Sequence, residues 1–116
     1  MIIAIDFDGT IVEDRFPEIG EMIPGADTVI NELYSSGHKV IIWTSRQGVN
    51  LLRAIEWMAK RGIRYHYINE SCEDNLKRYG NDTRKIFADV YIDDKSLISP
   101  PRDWYEIREI IRDKTV

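Results

Sequence analysis

Ile2-Ile3-Ala4-Ile5-Asp6-Phe7-Asp8-Gly9-Thr10 opens the chain as an apolar run that ends abruptly on two acids one residue apart. The run is short, largely β-branched and does not alternate with polar residues. That pattern suits a strand buried on both faces, as in a parallel sheet. Three later runs share it: Val40-Ile41-Ile42-Trp43, Tyr65-His66-Tyr67-Ile68 and Val90-Tyr91-Ile92. Between them the apolar spacing becomes that of helices. Ala26, Val29, Ile30 and Leu33 fall at i, i+3, i+4 and i+7, one helix face, and Gly37 follows as a stop. Leu51, Ile55, Met58 and Ala59 make a second stripe closed by Gly62. Trp104, Ile107 and Ile111 make a third, with Asp103 and Glu106 spaced as a capping box. The alternation predicts a single α/β domain over residues 1–116, a doubly wound, Rossmann-like parallel sheet with helices on both faces. Residues 12–24 and 69–84 carry no clear element, and loops that long in a compact domain are usually functional or mobile.

The composition is that of an ordinary globular domain, 43% hydrophobic and 31% charged over 116 residues. A net charge of −4 argues mildly against nucleic acid or an anionic membrane as partner. The one cysteine, Cys72, has no internal partner for a disulfide, and the acids around it disfavour a thiolate. The opening apolar run is too short for a signal peptide or a membrane span, so a cytoplasmic location is expected. His38 and His66 read as structural, and Trp43 and Tyr91 as core.

In open parallel sheets, ligands bind at the carboxyl ends of the strands. There the sequence places Asp6 and Asp8 after the first run, Thr44, Ser45 and Arg46 after the second, Asn69 after the third, and Asp93 and Asp94 after the fourth. Side chains alternate along an extended chain, so Asp6 and Asp8 point the same way. Carboxylates crowded at one edge repel unless protons or a hard cation neutralise them. An all-oxygen set favours magnesium over zinc or copper. A carboxylate can attack phosphorus to give an aspartyl-phosphate, and a hydroxyl and a lysine can meet the charge on the transferring group. Thr44 or Ser45 stands at the right strand end, although either is also suited to capping the next helix. Lys85 precedes the fourth run and can reach the site, or it is one more surface lysine.

Taken together, Asp6-x-Asp8-x-Thr10, Thr44 with Ser45 beside it, Lys85, and the pair Asp93-Asp94 resemble, in order, the four motifs of the haloacid dehalogenase superfamily. The resemblance runs from Ile2 to Asp94. It implies a magnesium-dependent phosphatase acting on a phosphate monoester through an aspartyl-phosphate. Asp6 would be nucleophile and metal ligand. Asp8 would be the general acid/base, with its backbone carbonyl on the metal. Thr44, or Ser45, and Lys85 would hold the phosphoryl group, and Asp93 and Asp94 would bind magnesium. The second acid of the first motif favours phosphate chemistry over dehalogenation. The spacings leave no room for the cap domain that many members carry. A fifth strand is common in the family, whereas the chain after Asp94 offers only Pro100-Pro101 and a helix.

An open site admits a phosphorylated small molecule or a phosphorylated macromolecule, or is covered by a neighbouring subunit in a homo-oligomer. Arg15, beside Phe16 in the first loop, and Arg46 are the candidate substrate contacts, with plain surface positions as the alternative. A phosphotransferase or mutase would use the same nucleophile. A receiver-like signalling module fits less well, since its acceptor position is occupied by Asn69.

Overall fold

The computed structural model describes residues 1–98 and 103–115. Its elements run β1 (Ile2–Ile5), β2 (Val12–Arg15), β3 (Glu18–Met22), α1 (Ala26–Ser35), β4 (Lys39–Ile42), α2 (Gly48–Lys60), β5 (Tyr67–Ile68), α3 (Glu73–Tyr79), β6 (Val90–Ile92) and α4 (Trp104–Thr115). The main sheet has the order β5-β4-β1-β6 and is parallel throughout, with Ile3 opposite Val40 on one side and Val90 on the other. From β1 the chain winds outward to β4 and β5, then returns to the far side of β1 at β6. The winding reverses between β1 and β6, which is where open α/β sheets bind ligands.

Alternate side chains of the central strands enter two different cores. Ile3, Ile5, Val40 and Ile42 pack with Val29 and Ile30 of α1, Met58 of α2, and Trp104, Ile107 and Ile111 of α4. Ala4 and Ile41 face the opposite way, onto Cys72, Ile86 and Ala88. One face is therefore sealed by three helices. The other is covered by coil and α3, which buries no residue of its own. The four-stranded, Rossmann-like architecture with helices on both faces is the one the alternation predicts. Among the described residues no cap stands over the sheet edge, no fifth strand joins it, and no helix is long and apolar enough to cross a membrane. Pro100 and Pro101 lie outside the described residues.

Both stretches without a predicted element are ordered. Residues 12–24 hold the antiparallel hairpin β2–β3. In β2 the residues Glu13, Asp14 and Arg15 are all exposed, so the strand lacks the apolar alternation that would have revealed it. Residues 69–84 hold α3. It has no apolar stripe, but acids open it, bases close it, and Glu73 and Lys77 pair at 3.4 Å across one turn. The third predicted strand shrinks to Tyr67–Ile68 because His66 Nδ1 accepts the Val40 N–H at 3.0 Å. At the start of α4, Asp103 caps as expected, its Oδ1 accepting the Tyr105 N–H at 2.9 Å.

Candidate active site

The end of β1 is held from both sides. Asp6 donates its N–H to Ile92 O at 2.9 Å, and Trp43 donates its own to Ile5 O at 2.8 Å. The chain then folds tightly about the Phe7 carbonyl, which accepts from Ile11 N at 2.9 Å, while Gly9 N donates to Val12 O at 2.7 Å. Gly9 has φ 86°, and a Cβ there would collide with the Asp94 carboxylate. Only glycine lets this turn approach the end of β6 so closely.

The four carboxylates divide into two groups. Asp6, Asp93 and Asp94 converge, one oxygen from each lying within 4.8 Å of the others. Burial, followed by a hydrogen bond to Asp94 and the charges of Asp93 and Asp94, pushes the Asp6 carboxyl up to about 8, against a smaller opposing effect from the Phe7 backbone. Asp6 thus keeps a proton at neutral pH unless a cation takes its place. Three oxygen donors in such a deficit of positive charge fit a hard divalent ion. Thr10 braces the group. Its hydroxyl lies 3.4 Å from both Asp6 Oδ2 and Asp94 Oδ1, and accepts the Asp94 N–H at 3.2 Å. Its carbonyl accepts the Trp104 indole N–H at 3.0 Å, which ties α4 to the site.

Asp8 turns instead to Arg46. The guanidinium grips it with Nε on Oδ2 at 2.7 Å and Nη2 on Oδ1 at 2.8 Å. Its other donors go to backbone carbonyls, Nη2 to Glu18 at 3.0 Å and Nη1 to Pro17 at 3.2 Å and Asn50 at 3.3 Å. Arg46 is only 2% exposed. A guanidinium has five N–H donors, and all are engaged, so the expectation that Arg46 contacts substrate is corrected. It is a buried clamp. Opposite charges at the ends of adjacent strands β1 and β4 were the signal for this pair.

Thr44 is buried, its N–H donating to Asn69 Oδ1 at 2.8 Å and its Oγ1 accepting from Arg46 N at 3.1 Å. Because α2 begins at Gly48 after Gln47, neither Thr44 nor Ser45 caps it. Both line a cleft of about 280 Å³ with Asp6, Asp93 and Trp43. Trp43 and Tyr91, both expected in the core, are half-buried and pack against the second core with their ring centres 5.4 Å apart, Trp43 lying just beyond the end of β4. Arg15 is exposed, 3.5 Å from Glu13, and lines a second cleft with Gly9, Asp14 and Asp94. Lys85 is not brought to the carboxylates. Its Nζ lies 5.3 Å over the Tyr91 ring, in a separate cavity with Tyr79 and Phe87, because the coil after α3 carries it along the thinly covered face. Burial pushes the Cys72 thiol up, in keeping with an inert cysteine.

No protein-family model matches the sequence, and no curated protein matches it. Among solved structures, one described as a conserved protein coded by a locus from Bacteroides thetaiotaomicron is 41% identical to this chain. The similarity covers 100% of this chain and 93% of that one, with a TM-score of 0.88. The chain belongs to the same family as that conserved Bacteroides thetaiotaomicron protein.

Proposed function

We propose that this protein is a magnesium-dependent phosphatase of the haloacid dehalogenase type, with Asp6 as nucleophile. The observation that supports it best is the convergence of Asp6, Asp93 and Asp94 from two neighbouring strand ends, beside the hydroxyls of Thr44 and Ser45 in one cleft. Asp6, Asp93 and Asp94 would hold the metal, with the Asp8 carbonyl that the motif resemblance adds. When bound, magnesium would supply positive charge to the phosphoryl oxygens, leaving Asp6 to act as a carboxylate. An Asp6 oxygen would bond to phosphorus as the ester P–O bond breaks, and Asp8, once one bond of its fork to Arg46 opens and that oxygen takes a proton from solvent, would pass the proton to the departing oxygen. Water next attacks the aspartyl-phosphate, loses a proton to Asp8, and releases inorganic phosphate with the Asp6 carboxylate restored. The Thr44 hydroxyl, accepting from Arg46 N, keeps its own proton to donate to a phosphoryl oxygen.

A receiver-like role has less support, since Asn69, at the position of a receiver's acceptor, uses its side-chain oxygen on Thr44. The test is a panel of phosphate monoesters with magnesium, run beside Asp6→Asn. Magnesium-dependent phosphate release that Asp6→Asn abolishes is the expected result. Turnover that survives in Asp6→Asn refutes the assigned nucleophile. Phosphate appearing on an added alcohol rather than in solution would make the protein a phosphotransferase.

A further inference from the structure

The tip of the β2–β3 hairpin and the side chain of Asp8 share one buried group, the guanidinium of Arg46. Two of its N–H bonds hold both oxygens of Asp8. Two more reach the tip of the hairpin, at the carbonyls of Pro17 and Glu18. The last is fixed to Asn50 in the first turn of α2. Its faces are covered by two rings. Phe7, buried in the first turn, is 5.3 Å away, and Phe16, on the hairpin and 55% exposed, is 5.1 Å away. Charge-assisted forked bonds in so dry a place are short, directional and costly to break singly.

We propose that Arg46 is the positioning residue of Asp8, and that through it the hairpin tip governs when this carboxylate can serve a leaving group. This rests on the phosphatase reading. While both Asp8 oxygens accept from Arg46, neither is placed to pass a proton to substrate. One bond of the fork must open, and the guanidinium cannot follow Asp8 because three N–H donors anchor it to main chain. Two of those three anchors are hairpin carbonyls, so opening is tied to the hairpin, and Phe16, stacked on the guanidinium and 55% exposed, is where a leaving group can press on it. A leaving group that presses on Phe16 acts on the ring against the guanidinium, and so on the fork. Lysine cannot replace this arrangement, since it offers a single charge and no planar fork.

The test separates positioning from mere stapling by leaving group. Phenyl phosphate and p-nitrophenyl phosphate share one ring, but the phenolate is much the poorer leaving group and depends more on a proton donor. With magnesium present, kcat and KM are measured for both esters on wild type, Arg46→Lys, Phe16→Ala and Asp8→Asn, with circular dichroism reporting the fold. Arg46→Lys should lose ~10²-fold in kcat on phenyl phosphate, the scale of acid–base help, and ~10-fold or less on p-nitrophenyl phosphate, with KM little changed. Phe16→Ala, altered at an exposed ring, should show the same bias at smaller size. Equal losses on both esters in Arg46→Lys overturn the proposal. If that variant does not fold, a Phe16→Ala ratio between the esters equal to that of wild type overturns it instead. Wild-type protein that hydrolyses neither ester refutes the phosphatase reading and this inference together, whereas turnover without the leaving-group bias refutes this inference alone.

Discussion

Replacing Gly9 with alanine tests the site at its tightest point. An added Cβ would lie 2.6 Å from Asp94 Cγ and closer still to Oδ2. Carbon atoms prefer a separation of roughly 3.5–4.0 Å, so the Asp94 carboxyl must retreat by about 1 Å. The backbone at φ 86° adds strain of about 1–2 kcal/mol for a residue with a Cβ. For 116 residues, an unfolding entropy of roughly 2.1 cal/mol/K per residue gives about 0.24 kcal/mol/K, and hence a fall in Tm of about 4–8 °C. Moving one carboxylate of the triad should also weaken magnesium binding by about 10-fold or more. Gly37→Ala is the control. Its φ is 93°, but nothing lies within 4 Å of the new Cβ, so it should show the thermal loss without the loss of metal affinity. Thermal scans and calorimetric magnesium titrations of both variants decide the matter. If Gly9→Ala binds magnesium as wild type does, Asp94 has no part in holding the ion.

Other outcomes follow from the same geometry. The Asp6 carboxyl is raised from 3.8 to about 8, so the metal-free fold gains from a bound proton below that range and loses this stabilisation as pH climbs through 8. The metal-free Tm should therefore drop between pH 5 and 8, and magnesium should bind more tightly and release fewer protons as pH rises over the same interval. An affinity independent of pH from 6 to 8 would contradict this. Asp93→Asn should weaken magnesium binding in calorimetry, whereas Asp8→Asn should leave it near the wild-type value because the Asp8 carboxylate faces Arg46. Trp104→Ala should cost about 3–5 kcal/mol in urea denaturation, and a loss below about 1 kcal/mol would mean that α4 is not held as described.

What the sequence revealed depended on whether a residue's neighbours lay in its own segment or in a distant one. The strands β1, β4 and β6 are apolar on both sides, so their composition alone announced them. α1 and α4 each bury the stripe that their spacing announced, whereas α2 turns Ala54 and Met58 inward and leaves Ala59 of its expected stripe exposed, so spacing placed that helix but not its whole buried face. β2 and α3 bury almost nothing, and elements held by pairing and charge order leave no apolar signature. The acidic residues at the strand ends were legible because strand direction determines where they emerge. Their division was not. Whether Asp8 joins the triad or Arg46 depends on a partner 38 residues away, and on hairpin carbonyls that only tertiary structure supplies. Lys85 failed for a related reason, since the coil that carries it shows no periodicity from which its direction could be read.

The unequal covering of the two sheet faces has a consequence for how the molecule opens. Amide protons of β1 and β4, shielded by three helices, should exchange with deuterium only through global unfolding, while those of α3 and the following coil exchange through cheap local excursions. β6 lies between these regimes, with β1 on one side and the lightly packed coil leading into it. Asp6 therefore rides on the slowest-exchanging part of the protein, and Asp93 and Asp94 on a strand whose protection is borrowed from its neighbours. Any ligand that joins Asp6 to that pair would transfer the rigidity of the centre to the edge, and the exchange rates of β6 would report its arrival.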